Sequence, residues 1–178
     1  MTVRLPIVCA LALPILIPLG PAHAADACDA LTARIIRATG ASLAGRAGPG
    51  AVFRAADAER MSLACRAPRR MVFGSLSREP ERRFFNLVGQ AAQALTGAKA
   101  EAVETLALAL HQDALLTGTP RQERFKQAIL RCETGPRDDS LAGSLTVCIV
   151  TAARSASAKP TSRPLRRRAG LFANRLAG

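Results

Sequence analysis

Apolar residues enter the chain first as one block and afterwards only in short periodic runs. Leu5 to Leu19 is apolar apart from Pro6, Pro14 and Pro18; it follows a lone charge at Arg4 and ends at Gly20-Pro21. About 15 apolar residues broken by prolines fall short of the roughly 20 needed to cross a bilayer. Ala22-His23-Ala24 puts small residues at the two positions a signal peptidase reads. Residues 1–24 are therefore expected to be a cleavable secretory signal, cut after Ala24, with no transmembrane span in the mature form.

From Asp26 to Thr39 the pattern is helical: Cys28, Leu31, Ile35 and Ala38 share one face, Asp26 and Asp29 sit in the first turn, and Gly40 follows the end. Ala41 to Gly50, rich in glycine and containing Pro49, predicts a loop. Ala51–Ala55, Met61–Arg66 and Met71–Leu76 are short apolar or alternating runs separated by turn residues, and predict a three-strand meander. Pro80 can open a helix in which Phe84, Val88, Ala91, Ala92 and Leu95 recur at helical spacing until Gly97. A further helix over about 98–116 carries Val103, Leu106, Leu110 and Ala114 on one stripe.

Thr119 to Cys132 supports two readings. Thr119-Pro120-Arg121-Gln122 resembles a capping box, with Phe125, Ile129 and Cys132 at helical spacing, whereas Ala128 to Cys132 suits a strand. A strand over Phe125–Glu133 is carried forward. Ser144 to Thr151, rich in Val, Ile and Thr, predicts a strand whose natural partner is the segment before it. The outline is α+β: a small antiparallel sheet, made of a meander plus a C-terminal hairpin, with two or three helices on one face. Removal of the signal leaves residues 25–153 as one compact domain and 154–178 as a flexible tail.

The cysteines add a covalent constraint. Of five, Cys9 would leave with the signal, and Cys28, Cys65, Cys132 and Cys148 remain, an even number in a chain bound for an oxidising compartment. Cys28 on its helix face and Cys65 in line with Met61 and Leu63 point at the same core, which favours Cys28–Cys65. Cys132 and Cys148 lie at equal distance from Ser140 in a turn-forming stretch, which favours Cys132–Cys148. Structural zinc uses close ligand pairs, and none occurs here, so no metal and no cofactor is expected.

Charge then separates the tail from the body. The chain has net charge +12, of which the signal contributes one unit. From Arg154 onward there are seven basic and no acidic residues, leaving 17 basic against 13 acidic, or +4, for residues 25–153. Ser155 to Pro164 reads as a linker. Beyond it, Arg163, Arg166, Arg167, Arg168 and Arg175 could meet an anionic lipid, lipopolysaccharide or another envelope component, with Leu171 and Phe172 as an apolar wedge. Arg accounts for 22 of the 25 basic residues and alanine is abundant, a usage typical of high-GC bacteria, which makes the periplasm the expected location if the protein is not secreted further. Nucleic acid is not an expected partner: Trp and Tyr are absent, so no stacking platform can form from them.

Catalytic chemistry leaves little trace. His111 is the one histidine of the mature chain and is expected at the surface or a helix end. Glu101 and Glu104, beside Lys99, are expected to be solvent-side charges, and Asp138-Asp139 to build a turn. No Gly-x-Ser-x-Gly elbow occurs, and Ala44 to Gly50 lacks the Gly-Lys-Ser/Thr end of a phosphate loop. The sequence thus points to a small exported envelope protein, more binding module than enzyme, that takes a protein partner or an anionic surface. The alternative is a periplasmic enzyme acting through a carboxylate or His111.

Overall fold

A computed structural model of the chain describes residues 22–136, 139 and 141–153. Three helices and seven strands follow in the order α1 (Ala22–Thr39), β1 (Ser42–Ala47), β2 (Gly50–Ala55), β3 (Ala58–Ala64), β4 (Arg70–Ser75), α2 (Arg82–Thr96), α3 (Ala100–Thr117), β5 (Arg121–Phe125), β6 (Ala128–Thr134) and β7 (Thr146–Ala152). The strands form one antiparallel sheet in the order β1-β2-β3-β4-β7-β6-β5. The α+β class, the hairpin of β6 with β7 and both disulfides are as the sequence implies.

The sheet is two meanders joined where β4 pairs with β7. Alternation then layers the helix-facing side: Met71, Val150 and Leu130 stand in one row across β4, β7 and β6, Phe73, Cys148 and Cys132 in the next, and Ser75, Thr146 and Thr134 in the last. The first two rows are buried, and Leu31, Ile35, Phe84, Phe85, Val88, Val103 and Ala107 of the helices close over them. Cys132 and Cys148 are direct cross-strand partners with Cα atoms 4.2 Å apart, the short spacing of a pair that shares no backbone hydrogen bonds. Cys28–Cys65 ties the start of α1 to the end of β3 from the margin of the core, and Ala38 on the same helix is exposed. By loop length alone the two crosslinks contribute roughly 4 kcal/mol (Cys28–Cys65) and 3 kcal/mol (Cys132–Cys148).

Five assignments depart from the sequence pattern. Ala41–Gly50 is no loop: Ser42–Ala47 is the edge strand β1, with a bulge between Leu43 and Gly45, and the meander has four strands. Its side chains lie largely in solvent, so no apolar alternation marks it; backbone pairing with β2 holds it. Phe125–Glu133 is not one strand but the end of β5, a two-residue turn in which Lys126 adopts φ 53°, and most of β6. Thr119-Pro120-Arg121-Gln122 caps no helix, since Arg121 opens β5. The last strand starts at Thr146 rather than Ser144, and the third at Ala58 rather than Met61.

The helices end where glycine can supply a left-handed residue: Gly97 and Gly118 have φ 78° and 64° and return their N–H groups to Gln93 and Ala114. α2 packs tightly on α3 at Gly89, where a Cβ would lie 2.5 Å from the carbonyl oxygen of Ala100. Because that oxygen belongs to backbone it cannot step aside. Gly89→Ala is expected to force α2 and α3 apart at a cost of about 1–3 kcal/mol, read as a lowered urea midpoint.

Candidate functional site

With all three helices on one side, the other side of the sheet is open. Two full rows face it. In the first, Ala64, Arg70, Thr151, Ile129 and Arg124 stand in register on β3, β4, β7, β6 and β5; in the second, Val52, Ser62, Val72, Ile149, Arg131 and Gln122 run from β2 to β5. Arg54 and Arg60 flank the second row. The turn at 141–145 covers a third row at one end: Gly74 and Val147 are buried, Ser144 packs on Gly74, and Arg60 donates to the Ala142 carbonyl at 3.4 Å.

The charge on this face is one-sided. Among the described residues of its strands, Arg54, Arg60, Arg70, Arg124 and Arg131 stand against Glu133 alone, which Arg131 holds at 2.7 Å, with Asp139 in the turn over one end. Between them Val72, Ile149 and Ile129 are half-buried and Val52 is 37% exposed, a shallow β-branched stripe with no aromatic ring. Phe53, Phe73, Phe84 and Phe85 all lie in the core and Phe125 packs against it. Carboxylates collect elsewhere. Asp57, Glu59, Glu79 and Glu81 line a groove of about 440 Å³ beyond the end of β4, where Arg83 bridges Glu81 at 2.8 Å and Asp57 at 3.4 Å.

Two other concavities are off the open face. A groove of about 600 Å³ runs past the Cys28–Cys65 disulfide, between Pro49, Arg66 and the Arg46–Asp29 ion pair. Another of about 660 Å³ follows the α2–α3 seam over Arg82, Asn86, Glu101 and Glu104. Among the described residues no group of three or more His, Cys, Asp or Glu comes together in a way that could hold a metal ion.

Two titratable residues lie elsewhere than the sequence suggests. Glu104 is not a solvent-side charge: its side chain is 9% exposed, accepts from Arg82 Nε at 2.8 Å and from Asn86 Nδ2 at 3.2 Å, and Asn86 in turn accepts from Gln90. The Arg82 and Asn86 hydrogen bonds hold its carboxyl below the usual carboxylate range against the opposing effect of burial. Glu101, one turn earlier, is exposed as expected. His111 is not at the surface: it is 4% exposed, tilts against Phe85 with ring centres 5.1 Å apart, and its Nδ1 has no hydrogen-bond partner. Burial pushes its pKa down, with Glu79 opposing. The close approach of α2 and α3 encloses both, a contact that spacing along one helix does not reveal.

Asp139 builds a turn, accepting from the Leu141 N–H, whereas Asp138 lies outside the described residues. Outside them too lie residues 1–21 of the expected signal and every tail residue expected to bind an anionic surface: Arg163, Arg166, Arg167, Arg168, Leu171, Phe172 and Arg175. No protein-family profile, curated protein or solved structure matches the chain.

Two pH effects follow. Glu104 has a lowered folded-state pKa, so its contribution is present above the unfolded carboxylate value of about 4.3 and is lost as pH falls through the folded one. Glu104→Gln should therefore melt below the parent protein at neutral pH, with the gap closing in acid. His111 has a lowered folded-state pKa as a base, so the fold loses stability as pH falls below the unfolded value of about 6.5. His111→Leu should flatten the melting temperature between about pH 7 and pH 5 while leaving the acid limb of Glu104 in place.

Proposed function

We propose that the chain is a small exported cell-envelope protein, non-enzymatic, whose domain binds an anionic envelope component or a protein partner. The observation that carries this reading is the segregation of charge: an open sheet face with five arginines and one glutamate, set opposite a helix layer that holds buried carboxylate. The tail, with seven basic and no acidic residues, has the same sign. Two disulfides suit an oxidising compartment, and among the described residues no helix is long and apolar enough to cross a membrane. An enzyme working through a carboxylate or His111 has less support. His111 lines none of the three grooves, and Arg83 ties two of the carboxylates in the acidic one.

Export and binding are separable in experiment. The protein recovered from the envelope should begin at Ala25 and weigh four protons less unreduced than reduced; a chain that keeps residues 1–24 overturns the export reading. The processed protein should be retained on lipopolysaccharide, on anionic vesicles or on immobilised poly-glutamate at low salt. It should be released at about 1 M salt, where the Debye length is about 3 Å. Retention on none of the three overturns the binding role.

A further inference from the structure

Resting on that binding role, we infer that the open sheet face is the surface that docks and that its occupant is the phosphate plane of an anionic phospholipid membrane. Four features select this occupant. The face is basic, with Arg54 and Arg70 bearing no partner among the described residues and Arg124 held only to the carbonyl of Lys126. All its cations are arginines, whose planar forks bind phosphate in two-point fashion. They are spread out rather than converging: Arg70 and Arg124 stand in one row three strands apart, roughly 14 Å at the strand spacing of a sheet. A repeated planar array of anions can satisfy such a layout, and a single small anion cannot.

The fourth feature is what the face lacks. Tight protein partners insert aromatic or aliphatic anchors into pockets, and the grooves at the Cys28–Cys65 disulfide, at the α2–α3 seam and beyond the end of β4 all lie elsewhere. Half-buried Val72, Ile149 and Ile129 offer shallow apolar contact between the arginines, and a hydrogen-bonded sheet cannot extend them as a wedge. The other candidate occupants carry the wrong charge. The chain leaves β7 into a tail with seven basic and no acidic residues, and a second copy would set arginine against arginine.

The test uses the whole processed chain and sedimenting vesicles of phosphatidylcholine with one quarter phosphatidylglycerol. At about fivefold per basic residue, Arg54→Gln/Arg70→Gln/Arg124→Gln should weaken binding roughly 100-fold with the melting temperature unchanged. Arg37→Gln/Lys99→Gln, on the helix layer, should bind as the parent does. If the triple variant fails to fold, Arg124→Gln alone, on the edge strand, should bind about fivefold more weakly. Parent-like binding by the face variant, with release by Arg166→Gln/Arg167→Gln/Arg168→Gln, overturns this inference and leaves the binding role intact. Equal losses per charge removed from the face and helix-layer variants also overturn it, since net charge alone then acts. Retention on poly-glutamate without vesicle binding overturns it in favour of an acidic protein partner, and retention on no anionic matrix removes both readings.

Discussion

The pairing of β4 with β7 is the contact on which the rest of the structure depends. Without it the chain would be two meanders, each with one apolar face too small to bury by itself; with it, Met71 and Phe73 stand beside Val150 and Cys148 and the two faces become one floor. It joins residues separated by two helices and two further strands, from Arg70 with Thr151 to Ser75 with Thr146. Such a contact repays its closure entropy only when the surrounding apolar area is buried at the same time. The Cys132–Cys148 crosslink supports the pairing from one side by fixing the register of β6 on β7, and the Cys28–Cys65 crosslink holds α1 against the far half of the sheet.

A seven-stranded floor needs a roof on one side only, and the three helices supply it. The absence of a second layer fixes the character of the other face: its outward residues must tolerate water, and they are mostly arginine, other polar residues and partly covered β-branched residues. Its end strands are short and charged, with Arg46 on β1 and Arg121, Glu123 and Arg124 on β5, which discourages edge pairing with another chain. An open basic face is thus partly a consequence of architecture. What architecture does not require is the near-absence of acid from it, while carboxylates gather at the end of β4 and along α3.

The helix layer holds polar groups that a purely apolar roof would not contain. Glu104 is enclosed but satisfied by Arg82 and Asn86, so its burial is compensated. His111 has no such compensation at Nδ1, and its burial against Phe85 disfavours the charged form. Both depend on how closely α2 meets α3, and Gly89 sets that distance.

Local patterns of the chain determined more of the fold than of the site. Helical periodicity with a glycine after each stripe defines α1, α2 and α3 to within a few residues, because burial on one side and left-handed termination are properties of neighbouring residues. Cysteine parity and the alignment of Cys28 with Leu31 and of Cys65 with Leu63 point to both crosslinks. β1 and β5 left no such imprint: an edge strand in water is held by backbone hydrogen bonds, which any sequence can make. Only the tertiary structure decided that Glu104 and His111 are enclosed, since their surroundings come from a second helix. It alone also assembled Arg54, Arg70, Arg124 and Arg131 on one face, because six strands from both halves of the chain, β2 through β5 in sheet order, must pair in register before those side chains share a plane.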